Sequence, residues 1–204
     1  MAAALAASFY DRRTERVARD LLGAILRCVT PEGVAAGRIV ETEAYLGEHD
    51  AACHAAAGRT ARTEGLYGEP GTAYVYFTYG MHWCANAVTR RAGLPSAVLI
   101  RALEPLEGIA LMRERRGPVG DRDLANGPAK LCEALGITGA LNGVPLRRSP
   151  LTIHHGTAVP DRAVAVTPRI GISKAVDRPL RWVDIRSDCL SRPHRPTPRS
   201  RTSR

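Results

Sequence analysis

The order of apolar and polar residues divides the chain into short elements. Near the start, "DRRTERVARDLLG" reads as a helix from about Asp11 to Leu22 stopped at Gly23, and "AILRCV" reads as a short strand. After the turn "TPEG", a second strand is predicted, clearest over residues 38–45 of "RIVETEAY". The polar stretch "EHDAACHAAAGRTARTEGLYGEPGT" holds many turn formers and no sustained period, so it predicts a long loop. "AYVYFTYGMHWCANAV" then reads as strand, Tyr-Gly turn, strand, and "SAVLIRAL" as a buried strand. Pro105 and Pro128 stand at natural first positions of two helices, with Gly117 and Gly136 as their stops. Residues 138–168 predict loops and short strands, including a turn at Asn142-Gly143. "RIGISKAVDRPLRWVDI" adds a loop and a final strand. No repeat or composition shift interrupts residues 1–190, which predicts one strand-rich α+β domain.

The strand period places Glu41, Glu43 and Tyr45 on one face and Val40, Thr42 and Ala44 on the other. Two carboxylates on one face are costly to bury unpaired, so the motif alone favours a solvated edge. The functional alternative is a cleft wall that presents a carboxylate base beside an aromatic platform. The next strand pair sharpens the choice. The chain has six Tyr, two Phe and two Trp, and Tyr74, Tyr76, Phe77, Tyr79 and Trp83 all fall in this one stretch. Cross-strand packing accounts for Phe77 and Trp83, but not for a bulky Tyr79 at a turn. An exposed ring in a basic protein suggests insertion into a base stack. Turning a base out of a duplex costs a few kcal/mol, and stacking returns about 1–3 kcal/mol per base. Aromatic platforms and one gap-filling ring have the right magnitude for that task.

Composition narrows the partners. With 45% hydrophobic and 24% charged residues the chain resembles an ordinary soluble protein. "MAAALAASFYDRR" lacks a basic leader region and its apolar run is too short for a bilayer, so a cytoplasmic protein without membrane association is expected. Five scattered cysteines with no C-x-x-C pair predict reduced thiols, with Cys84 and Cys132 as packing residues. The net charge is +9, but "RPHRPTPRSRTSR" supplies five arginines and no acid, leaving +4 elsewhere. Residues 191–204 are accordingly expected to form a disordered basic tail able to adhere to polyanions. Arg101 interrupts an apolar strand and needs an acidic or phosphate partner. His54 reads as a pocket hydrogen-bond partner or a surface residue, and Asn86 as a satisfied strand amide or a pocket gatekeeper. Arg59 and Arg62 are candidate phosphate contacts. His49, Cys53 and His54 lack the spacing of zinc ligands, so no metal is expected.

"VARDLLG", "RIVETEAYLG" with "DAACH", "PGTAYVYFTYGMHWCAN", "LIRALEPLEG" and "NGPAKLCEALGI" occur in that order, and together they resemble the alkyladenine (3-methyladenine) DNA glycosylases of the mammalian type. The resemblance spans about Ala18 to Arg186. It implies one α+β domain around a curved antiparallel sheet with flanking helices and a protruding hairpin. The implied activity is monofunctional excision of alkylated or deaminated purines from duplex DNA, by a monomer without cofactor at the bacterial nucleoid. By motif position, Glu43 would be the general base, helped by Arg101 and the Ile170 carbonyl in holding water. Tyr45, His54 and Tyr76 would enclose the flipped base, Asn86 would disfavour the guanine amino group, and Tyr79 would wedge into the gap beside Met81. No lysine adjoins Glu43, Tyr45, Tyr76 or Arg101 in sequence, which favours water over an amine as nucleophile. Thr63 stands where family members commonly carry Asn. The competing class is a nucleic-acid-binding module that uses the aromatic hairpin only for stacking.

Overall fold

The computed structural model describes residues 2–193; residues 194–204, most of the expected basic tail, lie outside them. Helices α1 (Ala7–Tyr10) and α2 (Thr14–Asp20) lead into strands β1 (Ile25–Thr30) and β2 (Gly33–Tyr45). Two short 3-10 turns, His54–Ala57 and Glu64–Tyr67, precede the hairpin of β3 (Ala73–Thr78) and β4 (His82–Val88). Strand β5 (Ala97–Glu107) is followed by helices α3 (Ile109–Arg116) and α4 (Pro128–Leu135). Strands β6 (Arg147–Arg148), β7 (Leu151–His154), β8 (Val164–Thr167) and β9 (Arg181–Asp184) complete a single curved antiparallel sheet with a few helices against it.

The long β2 organises the sheet. Its first half pairs with β1, and β5 follows its other edge from Ala36 to Tyr45. Where β1 ends, β9 takes over, pairing across Glu41, Thr42 and Glu43. The site strand is therefore flanked on both edges, and the solvated-edge expectation fails for that reason. Glu41 and Glu43 are both 0% exposed. The opposite face is buried as well: Ile39 and Ala44 join a core with Leu21, Leu22, Ile100 and Leu131. Thr42 fits there because its hydroxyl donates to the Ala18 carbonyl of α2 at 2.8 Å.

Register shifts aim the functional side chains. Ile39 pairs with Leu103, Glu41 with Ala102 and Thr42 with Ile100. Val40 on β2 and Arg101 on β5 are each left without an opposite residue. Such bulges bend the strand locally and redirect a side chain.

Two local expectations differ in detail. The first helix is shorter than residues 11–22, because Asp11 breaks from helical geometry between α1 and α2. Gly23 does end the segment, at φ +89°, and a Cβ there would lie 2.0 Å from the Thr157 carbonyl oxygen. Pro105 belongs to β5 and does not open a helix; it sits opposite Gly37 at a register shift, where a missing N–H is tolerated. The helix starts only after Gly108, whose φ of +72° lets the chain pass the Val34 carbonyl. Pro128 and Gly136 do bound α4 as expected. All five cysteines are buried and unpaired, and no helix among the described residues is long and apolar enough to cross a membrane.

Candidate active site

The β3–β4 hairpin, the end of β2 and the loops at 50–66 and 171–174 surround a cavity of about 600 Å³. Tyr45, His54, Tyr74, Tyr76, Asn86 and Arg62 are among its walls. A second apolar cluster, with Cys53, Leu66, Tyr67 and Tyr74 buried and Tyr45 and Tyr76 packed against it, forms the floor. Four of the expected base-binding residues thus converge on one space.

The aromatic walls are mutually oriented. His54 meets Tyr76 edge to face at 4.5 Å between ring centres, and Tyr74 lies 5.4 Å from Tyr76. The Tyr74 hydroxyl carries a single proton and is 3.2 Å from the Arg62 carbonyl, which can only accept. His54 Nδ1, 3.1 Å from the same hydroxyl, is then the donor, which leaves Nε2 as an acceptor. Burial, assisted by Arg62, holds the His54 pKa below its usual value and favours this neutral form. Asn86 is a satisfied strand amide at the cavity wall. Its amide donates to the Tyr74 carbonyl across the hairpin at 2.9 Å, and it also lines the cavity.

Glu43 lies behind the Tyr45 phenol. One carboxylate oxygen accepts the Ile170 N–H at 2.8 Å. The other accepts the Tyr45 hydroxyl at 2.9 Å and Arg101 Nη1 at 3.2 Å. Burial raises the Glu43 pKa, and although Arg101, the Ile170 N–H and Tyr45 oppose that shift, the net direction is upward. Such a carboxylate is a stronger base than an exposed one. The Ile170 carbonyl lies 3.5 Å from Arg101 Nη1, so Ile170 reaches this cluster through both backbone groups.

At the hairpin tip, Tyr79 (φ +51°) and Gly80 (φ +67°) occupy the two central turn positions, and Met81 N–H donates to the Thr78 carbonyl at 3.2 Å. This is the positive-φ turn that matches hairpin twist. Tyr79 is 84% exposed and Met81 66%, whereas Phe77 and Trp83 pack across the strands at 4.7 Å. Arg59 and Thr63 are both engaged within their own loop. Arg59 is engaged by Glu64 at 2.6 and 2.8 Å and is not among the cavity walls. Thr63 is buried and fastens its own loop, accepting from Thr60 N–H and donating to the Gly58 carbonyl.

Several residues here were not singled out from the sequence. Arg169 forks onto Asp50 at 2.5 and 2.7 Å and lies 4.7 Å beneath the Tyr45 ring, fixing one wall. Arg181 of β9 donates to Glu41 at 2.6 Å. Lys174 lines the cavity, so the sequence argument from lysine placement does not keep an amine away from the site. It stands in the same loop as Ile170, four residues further on, so the sequence already placed it near a candidate site residue. Among the described residues no group of three or more His, Cys, Asp or Glu is placed to hold a metal ion.

A model of the methylpurine-DNA glycosylase family matches residues 8–188. This chain belongs to that family. A relative from Methanocella arvoryzae, named "Putative 3-methyladenine DNA glycosylase", is 49% identical over 189 residues, covering 90% of this chain and 94% of its own. Relatives of the same name from Rhodopseudomonas palustris and Myxococcus xanthus are 49% and 52% identical, covering 91% and 82% of this chain and 86% and 81% of their own. Membership in this glycosylase family makes the chain a DNA-repair hydrolase acting on a DNA substrate. The aromatic cavity and the buried Glu43 both fall within the matched span.

Proposed function

We propose that this glycosylase turns an alkylated or deaminated purine out of duplex DNA and hydrolyses its glycosidic bond with water activated by Glu43. The observation that carries the reading is a wholly buried carboxylate, raised in basicity, directly behind an aromatic cavity that can hold a purine. A platform used only for stacking has no use for that carboxylate.

In this reading Tyr45, His54 and Tyr76 enclose the base, and Asn86 disfavours the guanine amino group. Tyr79, with Met81 beside it, fills the gap left in the duplex. Arg62 contacts a flanking phosphate, and Arg59 does so only by exchanging Glu64 for it. The Tyr45 hydroxyl holds the place on Glu43 that water needs, so water displaces it once the nucleotide enters. Arg101 and the Ile170 carbonyl hold that water. Glu43 takes its proton as the C1′–N bond breaks; a positively charged alkylpurine leaves as a neutral base, and a neutral lesion such as hypoxanthine leaves as its anion and is then protonated by water. Assistance of this kind contributes about 10²–10⁴ in rate, and positioning supplies the remainder. The hydrolytic, monofunctional reading rests on Glu43 and not on any absence of lysine.

The test uses duplexes containing hypoxanthine or ethenoadenine, scored as alkali-labile abasic sites. Glu43→Gln should lower base release by at least about 10² while retaining binding to the lesion duplex. Undiminished turnover in that variant overturns the assignment. Failure of the natural protein to create abasic sites at any lesion would favour the stacking module.

A further inference from the structure

Glu41 sits two residues before Glu43, equally buried, and its surroundings are unusually rich in donors. One oxygen accepts Arg181 Nε at 2.6 Å, the Ser191 hydroxyl at 2.7 Å and Arg101 Nε at 3.1 Å. The other accepts the Ser191 backbone N–H at 2.7 Å. Ser191 therefore closes over Glu41 with both of its donors. Its hydroxyl oxygen also lies 3.4 Å from Arg101 Nε and Nη2.

The Arg101 guanidinium is consequently held on three sides: Glu41 at Nε, Ser191 at Nη2, and Glu43 with Ile170 at Nη1. That arrangement matters chemically. A free guanidinium prefers to meet a carboxylate with two parallel N–H groups, and such a fork is the strongest ion pair a protein makes. A fork on Glu43 would drain its basicity and occupy both oxygens. With Nε and Nη2 engaged elsewhere, Arg101 spares only one N–H for Glu43.

We infer that Glu41 and Ser191 are positioning residues for the proposed reaction: together they turn Arg101 so that it steadies Glu43 by a single hydrogen bond and leaves it competent as a base. The inference rests on the reading of Glu43 given above. The charges facing Glu43 are Arg101 from β5, Arg181 from β9, Arg169 with the Ile170 N–H from the segment before β9, and Glu41 and Tyr45 from its own strand. Glu41, as a like charge, adds to the upward shift of Glu43.

Two variants test this. Glu41→Gln weakens the anchor for Nε and also removes a like charge, and both effects move the acid limb of base release to lower pH, so the uncharged Ser191 carries the decision. Ser191→Ala, the milder change, should lower kcat about tenfold with KM for lesion duplex unchanged, and Ser191→Thr should restore it. A merely structural Ser191 would lower thermal stability in Ser191→Ala without moving the acid limb or splitting kcat from KM, and that result overturns the inference. Carboxyl ¹³C titration of Glu43 in the free protein gives a reading independent of turnover. An unmoved Glu43 titration in Ser191→Ala, which changes no charge, sinks the inference even where Glu43→Gln behaves as proposed. A displaced one supports it even where base release is not found.

Discussion

Glu41, Glu43, Asp50 and Asp184 have no exposed surface, and each is met by guanidinium or backbone N–H donors. Their environments push acidity in opposite directions. Burial alone would raise the Asp184 carboxyl, yet hydrogen bonds from Arg186 and Arg38 hold it down to about 2. A carboxylate with a depressed folded pKa stabilises fully above its unfolded value near 3.9, and that contribution is lost as pH falls toward about 2. Asp184→Asn should therefore cost about 2–3 kcal/mol at neutral pH and progressively less in acid. Denaturant unfolding at pH 7 and near pH 2.5 checks this, and a cost that does not shrink with acid refutes it. Glu43 runs the other way: its raised pKa weakens folding above the ordinary carboxylate range, the usual price of a preorganised base. Arg101 was legible as special because an apolar strand surrounds it. Arg169 and Arg181 were not, since their neighbours in sequence look like loop residues and their acidic partners lie more than a hundred positions away.

Among elements, the hairpin shows what a local pattern can and cannot tell. The alternation of Tyr74 to Phe77 and the Tyr-Gly pair specify two strands and a tight turn, because both depend on neighbours in sequence. The burial of β2 depends on β9, some 140 residues later, and nothing in "RIVETEAY" carries that pairing. Pro105 misled for a related reason: it can start a helix, but β2 keeps pairing with β5 past it to Glu107. The positive φ of Tyr79 separates two effects that one substitution usually mixes. Gly adopts this backbone freely, whereas Ala is strained by about 1 kcal/mol. Tyr79→Gly should be more stable than Tyr79→Ala by about that amount, while both lose preference for lesion-bearing over undamaged duplex. Thermal melting with competitive binding to the two duplexes decides the matter. Equal losses on both duplexes would remove Tyr79 from the gap-filling role.

For the molecule as a whole, most surface cations among the described residues are tied to acids, as with Arg113 on Asp121 and Arg59 on Glu64, so the total of 29 basic residues overstates the number available to DNA. Arg62 and Lys174 are different, because both line the cavity where a displaced nucleotide would bring its phosphates. Replacing either with Ala should reduce the slope of log affinity against log salt by about 1, with similar loss on lesion and plain duplex. Titration across a series of salt concentrations measures it, and an unchanged slope would mean that residue touches no phosphate.

The scarcity of lysine has a practical consequence. Lys130 and Lys174 are the only two in the sequence, and the Lys130 ammonium is occupied by the Asn126 side chain at 2.7 Å. Lys130 is half-buried and Lys174 exposed, so an amine-selective reagent reacts faster with the lysine at the cavity. The protein carries a built-in attachment point for a fluorophore beside its substrate opening, with no engineered cysteine required.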